Sequence, residues 1–308
     1  MLKIDMHKTA LAAALFAAAF PAFAAAPAQR PAAAKTAAPA AKKAPDTAPI
    51  VAPAPVKMAC PVGGKEFEYR PSRQAPVAGE RPDGKPYASV KFPLALPECP
   101  DNGLILYKEY DAAEVVRLEP LVASEAYQAL RKAETPYYRA YWLMREMGVE
   151  PARHLWALLQ ASWEAEGKPE LRARYLRELA EASAKVPAQP ADLNWLGMEG
   201  RAVNALRELG RFDEAAARLD KIPLDTLTAG DPKRPDKTRQ AWLDYFAGLR
   251  ATIERKDASL EPADMIPARV AARRCGKEGL GEHDKAFCDR LAAEELKKVA
   301  APREQSGR

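Results

Sequence analysis

The chain of 308 residues carries 47 Lys and Arg against 42 Asp and Glu, with three His and four Cys, for a net charge of +5. The excess sits at the front: residues 1–58 hold seven basic and two acidic residues, which leaves 40 of each for the body (47 less 7, 42 less 2). A neutral body removes the electrostatic argument for nucleic-acid binding, and the scarcity of histidine leaves little from which to build a catalytic triad.

Residues 1–24 read as a secretory signal, with Lys3, His7 and Lys8 ahead of an apolar run and a small-residue cleavage site at Ala22-Phe23-Ala24. The apolar run over residues 9–20 is shorter than the ~20 residues a spanning helix needs, so no stable membrane insertion is expected. The first cysteine beyond it, Cys60, is too distant to be a lipid acceptor. The expected destination is the periplasm or the secreted space. Residues 25–58 are nearly all Ala and Pro and offer almost nothing to bury, which predicts a disordered linker.

Residues 59–122 read as a small β module. Short strands are expected over residues 67–69, 88–92 and 104–107, separated by Pro-Gly turns such as Arg81-Pro82-Asp83-Gly84. Cys60-Pro61-Val62-Gly63-Gly64 and Cys99-Pro100-Asp101-Asn102-Gly103 resemble two CPxCG zinc knuckles whose second cysteines have become Gly63 and Asn102. A structural zinc wants four such ligands; with half of them gone, neither a metal nor a cofactor is expected. The resemblance implies that the knuckles face each other and bring Cys60 near Cys99. In an oxidising compartment that implies a disulfide, with two free thiols or a non-standard metal site as the alternatives.

Helices follow over residues 123–223, with local punctuation. Ser124 can cap the first, Thr135-Pro136 opens the second, Gly148 closes it, Pro151 opens the third and Pro169 the fourth. Tyr138, Tyr141, Trp142 and Arg145 mark one face, then Leu155, Leu158, Leu159 and Trp163, then Leu171, Tyr175, Leu176 and Leu179. Stripes at this spacing are the seams of packed helices. His154 reads as a packing residue at the solvent edge. From Asp192 a further helix carries Trp195, Met198, Ala202, Ala205, Leu206 and Leu209 to Gly210, a left-handed terminator, and Asp213 can cap the helix that returns.

The run Gly210-Arg211-Phe212-Asp213-Glu214-Ala215 resembles the inter-helix turn of a tetratricopeptide repeat. That likeness implies stacked antiparallel helical hairpins. Carried over by position, it implies a groove presenting Asn204, Arg207 and Glu208 to a protein or peptide partner. The knuckle pair, the Glu109-Tyr110-Asp111 segment and the Ala161-Ser162-Trp163 element together resemble a bacterial family of unknown function that joins a zinc ribbon to tetratricopeptide-like helices. The expected fold class is therefore mainly α, a tetratricopeptide-like array behind a β ribbon-like cap.

Residues 224–299 are expected to add C-terminal helices. Trp242, Phe246, Leu249 and Ile253 form a heptad-like seam that docks on the preceding repeat. Cys275 ends a helix after Pro267, and Cys288 lies inside another with twelve residues between them, so a turn through Gly276, Gly279 and Gly281 predicts a second disulfide. Residues 300–308 are a polar tail. His283 has acidic neighbours in Glu282 and Asp284, which a helix N-terminus explains. No GxSxG, HExxH, phosphate loop or dinucleotide fingerprint occurs. The leading expectation is a non-enzymatic exported scaffold. The alternatives are a thiol-redox or metal-responsive protein using Cys60 and Cys99, and a cell-envelope hydrolase whose carboxylates meet only in three dimensions.

Overall fold

The computed structural model describes residues 53–73, 75–190, 192–225, 236–276 and 280–300. The signal, most of the linker, and residues 301–308 of the tail lie outside them. Strands β1 (Val56–Ala59) and β2 (Glu66–Tyr69) pair antiparallel, with Val56 opposite Tyr69. Between them the first knuckle closes through Cys60 N–H donating to Lys65 O (2.9 Å) and Gly64 N–H to Cys60 O (3.1 Å). The second knuckle repeats this pattern, with Cys99 N–H donating to Leu104 O (2.9 Å) and Gly103 N–H to Cys99 O (2.9 Å). Gly64 and Gly103 hold equivalent left-handed positions, at φ 70° and 76°.

The expected strand over residues 104–107 is reduced to a single bridge between Glu98 and Ile105. Of the one over residues 88–92 only Ala88 is in a strand, since Pro93 and Pro97 stop a ladder from extending there. In its place β3 (Val77–Glu80) and β4 (Pro86–Ala88) form a second, separate antiparallel hairpin around the turn 81–85.

The β module also ends earlier than expected. Helix α1 (Ala112–Ala123) occupies its last eleven residues, 112–122, started by a capping box in which Glu114 N–H donates to Asp111 Oδ1 (2.8 Å) and Asp111 N–H to Glu114 Oε2 (3.3 Å). Ser124 then caps α2 (Glu125–Ala133) and Thr135 caps α3 (Pro136–Glu146). Pro151 and Pro169 stand at the start of α4 (Pro151–Glu164) and α5 (Pro169–Ser183), and Asp192 caps α6 (Leu193–Glu208). Helix α7 (Phe212–Leu219) begins after Arg211, so Asp213 is not its cap but lies in its first turn, where its charge favours the helix dipole. Helix α8 (Asp236–Glu254), a short 3₁₀ turn (Ala263–Met265), α9 (Ala268–Cys275) and α10 (Glu282–Ala300) complete the described residues.

From α3 to α8 each helix packs on the next, and α4 also touches α6 and α6 touches α8, the arrangement of stacked helical hairpins. Three apolar clusters run through the stack. The first joins the knuckles to α1, α2 and α3 through Leu104, Ile105, Leu118, Tyr127 and Leu143. The second joins α3 to α6 through Tyr141, Leu155, Leu158, Leu159, Tyr175, Leu176 and Leu179. In the third, Phe246, Leu249 and Ile253 of α8 pack on Leu196, Val203 and Leu206 of α6 and Leu219 of α7, so the heptad-like seam is used within the chain. Each fully buried leucine contributes about 1.5–3 kcal/mol.

Two disulfides staple the ends. Cys60 and Cys99 are joined with Cα atoms 5.6 Å apart, and Cys275 and Cys288 with Cα atoms 5.5 Å apart, so all four cysteines are paired. Among the described residues no helix is long and apolar enough to cross a membrane.

Candidate functional site

Helical spacing puts Asn204, Arg207 and Glu208 on one side of α6, as the sequence predicts, with Arg201 beside them, but that side is covered by the chain itself. Asn204 and Arg207 are fully buried, and the Glu208 side chain is 2% exposed. Arg207 Nη1 donates to the carbonyls of Asp257 (2.6 Å) and Ser259 (2.8 Å), while its Nε and Nη2 donate to Asn204 Oδ1 (3.0 and 2.9 Å). Asn204 Nδ2 donates to Glu208 Oε1 (2.7 Å), and Arg172 Nη2 to Glu208 Oε2 (2.6 Å). Every polar group of the expected partner-binding trio is thus satisfied internally. In the folded chain none of the three is reachable by a partner, and that expectation is corrected.

The lid over this face is the turn 81–85 at Arg201 and residues 257–259 at Arg207. Arg201 Nη1 and the Tyr245 hydroxyl both donate to the Pro82 carbonyl (2.9 and 2.8 Å). Arg81 grips Asp83 within the turn (Nη2 to Oδ2, 2.5 Å) and Glu166 at the end of α4 (2.6 Å), and Lys85 Nζ reaches the other Glu166 oxygen (2.7 Å). Burial opposes the charge on Arg81, yet Asp83 and Glu166 outweigh it and hold the guanidinium more basic than usual. Burial pushes the Glu208 carboxyl up against the pull of Arg172, and pushes the Arg207 guanidinium down against Glu208 and Asp257. Such a network fixes geometry more than it adds stability, since desolvation consumes most of the Coulomb gain.

The knuckles carry no open chemistry either. Cys60 and Cys99 are buried in their disulfide, and Asn102 ties the two loops by donating from Nδ2 to Val62 O (2.9 Å) while Oδ1 accepts from Leu104 N–H (3.0 Å). The side chain standing where the second knuckle would offer a thiolate is therefore a cross-brace. Among the described residues no group of three or more His, Cys, Asp or Glu is placed to hold a metal ion. His283 Nε2 lies 3.1 Å from Asp264 Oδ2, outside its own helix turn.

The open surface lies elsewhere, along α5. Between α3, α4 and α5 a cleft of about 250 Å³ is lined by Tyr141, Arg145, His154, Glu178, Glu181 and Lys185. The ring of His154 meets Tyr141 edge-on at 5.4 Å, and His154 Nδ1 is 3.1 Å from the Val149 carbonyl, to which it donates. Burial, helped by Arg145, lowers the imidazole pKa below its ordinary 6.5, so the ring is neutral at neutral pH. The Tyr138 hydroxyl donates to Glu178 Oε2 (2.9 Å), and Arg145 Nη1 stands 3.9 Å from Glu178 Oε1. A second cleft of about 490 Å³ lies between α5, α6 and α7, where Arg218 holds Glu199 through two bonds of 2.6 and 2.7 Å. Glu181 lines both clefts, so they adjoin. Tyr141 packs in a seam and His154 is buried, as the sequence predicts, but both also border this cleft; the available signal for the surface was Glu178, Glu181 and Lys185 at helical spacing.

Comparisons with protein-family models, with curated proteins and with solved structures find no match for this chain.

Proposed function

We propose that the chain is an exported, non-enzymatic scaffold of tetratricopeptide-like hairpins that binds a protein or peptide partner through the open groove along α5. The observation that carries this reading is the contrast between the sealed face of α6 and the two adjoining clefts that share Glu181. Export is supported by the signal-like residues 1–24 and by two disulfides, which persist in oxidising compartments. The tetratricopeptide likeness is supported by the turn at Gly210, left-handed at φ 72°, and by the packing of alternate helices. A redox role would need an accessible thiolate, and Cys60 and Cys99 are buried. A hydrolase would need two opposed carboxylates, whereas Glu178 and Glu181 lie one turn apart on the same helix and Glu178 is engaged by Tyr138.

The test is capture from an envelope extract by the mature chain and by a charge-swapped variant, Glu181→Lys with Lys185→Glu. A stoichiometric partner retained by the parent and lost by the variant, with unchanged circular dichroism, is the expected result. Equal retention would move the binding surface away from α5.

A further inference from the structure

We propose that the cleft around His154 binds a small zwitterion, a free amino acid or a dipeptide. The inference concerns the cleft itself and stands whether or not a protein docks along α5.

Three elements build the site: α3 contributes Tyr141 and Arg145, α4 contributes His154, and α5 with the residues after it contributes Glu178, Glu181 and Lys185. Two cations and two carboxylates thus surround one neutral imidazole. Their pairing is incomplete. Arg145 and Glu178 are 3.9 Å apart, beyond hydrogen-bond distance, and Glu181 and Lys185 make no ion pair among the described residues. His154 is 9% exposed and spends Nδ1–H on the Val149 carbonyl, which leaves Nε2 as a lone-pair acceptor with no protein donor among the described residues.

A simple anion entering here would meet Glu178 and Glu181, and a simple cation would meet Arg145 and Lys185. A ligand bearing both charges meets a group of opposite sign at each end. Its ammonium donates to Glu178 and to His154 Nε2, and its carboxylate accepts from the forked guanidinium of Arg145 and from Lys185. The volume of about 250 Å³ lies below the range of drug-sized pockets, which suits a ligand of amino-acid or dipeptide size.

The experiment is calorimetric titration of the mature protein with alanine, dialanine, N-acetyl-dialanine and dialanine amide. Alanine or dialanine should bind, and whichever is tighter identifies the free amino acid or the dipeptide as the class. Each blocked dipeptide should bind at least about tenfold more weakly than dialanine, or not at all. Glu178→Gln and Arg145→Ala should each weaken binding by about tenfold or more with the thermal midpoint unchanged. As a readout that needs no variant, amide shifts on adding ligand should centre on Tyr141, His154 and Glu178. No binding at millimolar ligand, equal binding of free and blocked forms, or shifts centred elsewhere would overturn the proposal.

Discussion

The two sides of the α4–α6 stack are lined by the same residue types, arginine against glutamate with a tyrosine nearby, and they differ in what covers them. On the α6 side a turn of the chain's own sequence fills the space, and Arg207, Glu208 and Arg81 find partners at 2.5 to 3.0 Å. Along α5, among the described residues, no such turn lies over the charges, and the Arg145–Glu178 pair stands at 3.9 Å. The lesson is that a residue's availability is set by the segment that reaches it, and position within a helical repeat does not report that segment.

The largest break in this contrast should come from Arg207→Ala. It strands the Asn204 side-chain oxygen and two partly buried carbonyls, and should lower stability by about 3–5 kcal/mol, read as a shift in the urea midpoint. A loss below about 1 kcal/mol would mean that the face is not sealed as described. Next comes Gly84→Ala. Gly84 sits at φ +83°, and an added Cβ would meet Arg201 Nε at 2.7 Å, so the lid should loosen at a cost of about 1–3 kcal/mol and Tyr245 should become more accessible to solvent.

A smaller effect belongs to His154. Its folded pKa lies below the ordinary 6.5, so between the two values the unfolded chain binds a proton that the folded chain refuses. That part of the stability is fully present above pH 6.5 and is lost as pH falls through the folded pKa. Comparing melting curves of the parent and His154→Gln across this window should isolate it as a difference in slope. Least of all, Glu181→Ala should change stability by no more than about 0.5 kcal/mol, because the carboxylate is exposed and unpaired. A larger loss would show that the α5 side is closed after all.

What the sequence made legible was whatever depends on neighbours in the chain. Ser124, Thr135, Pro136, Pro151, Pro169 and Asp192 start helices where their local chemistry demands it, and Gly148 and Gly210 take the left-handed conformation that stops them. Both disulfides were within reach for a related reason, one from the knuckle resemblance and one from a short spacing. Helix α1 escaped because Pro120 and the strand-like Val115-Val116 obscured its capping box. Strand β3 escaped because Val77–Glu80 is short and contains Gly79. The sealed face was out of reach for a stronger reason: Pro82 meets Arg201 and Tyr245 across 119 and 163 residues, and no local pattern encodes such a meeting.

That separation also dictates an order of events in biogenesis. A chain made from its N-terminus presents the 81–85 turn early, while the Tyr245 hydroxyl that donates to the Pro82 carbonyl and the Glu261 carboxylate that accepts from Tyr87 arrive 163 and 174 residues later. At ordinary synthesis rates the interval is on the order of ten to thirty seconds. Within it Glu166 and then Arg201 are made, so the turn can close on α4 and α6 before Tyr245 arrives. The lid is therefore assembled stepwise, first on Glu166, then on Arg201, and is complete only when α8 brings Tyr245 to Pro82.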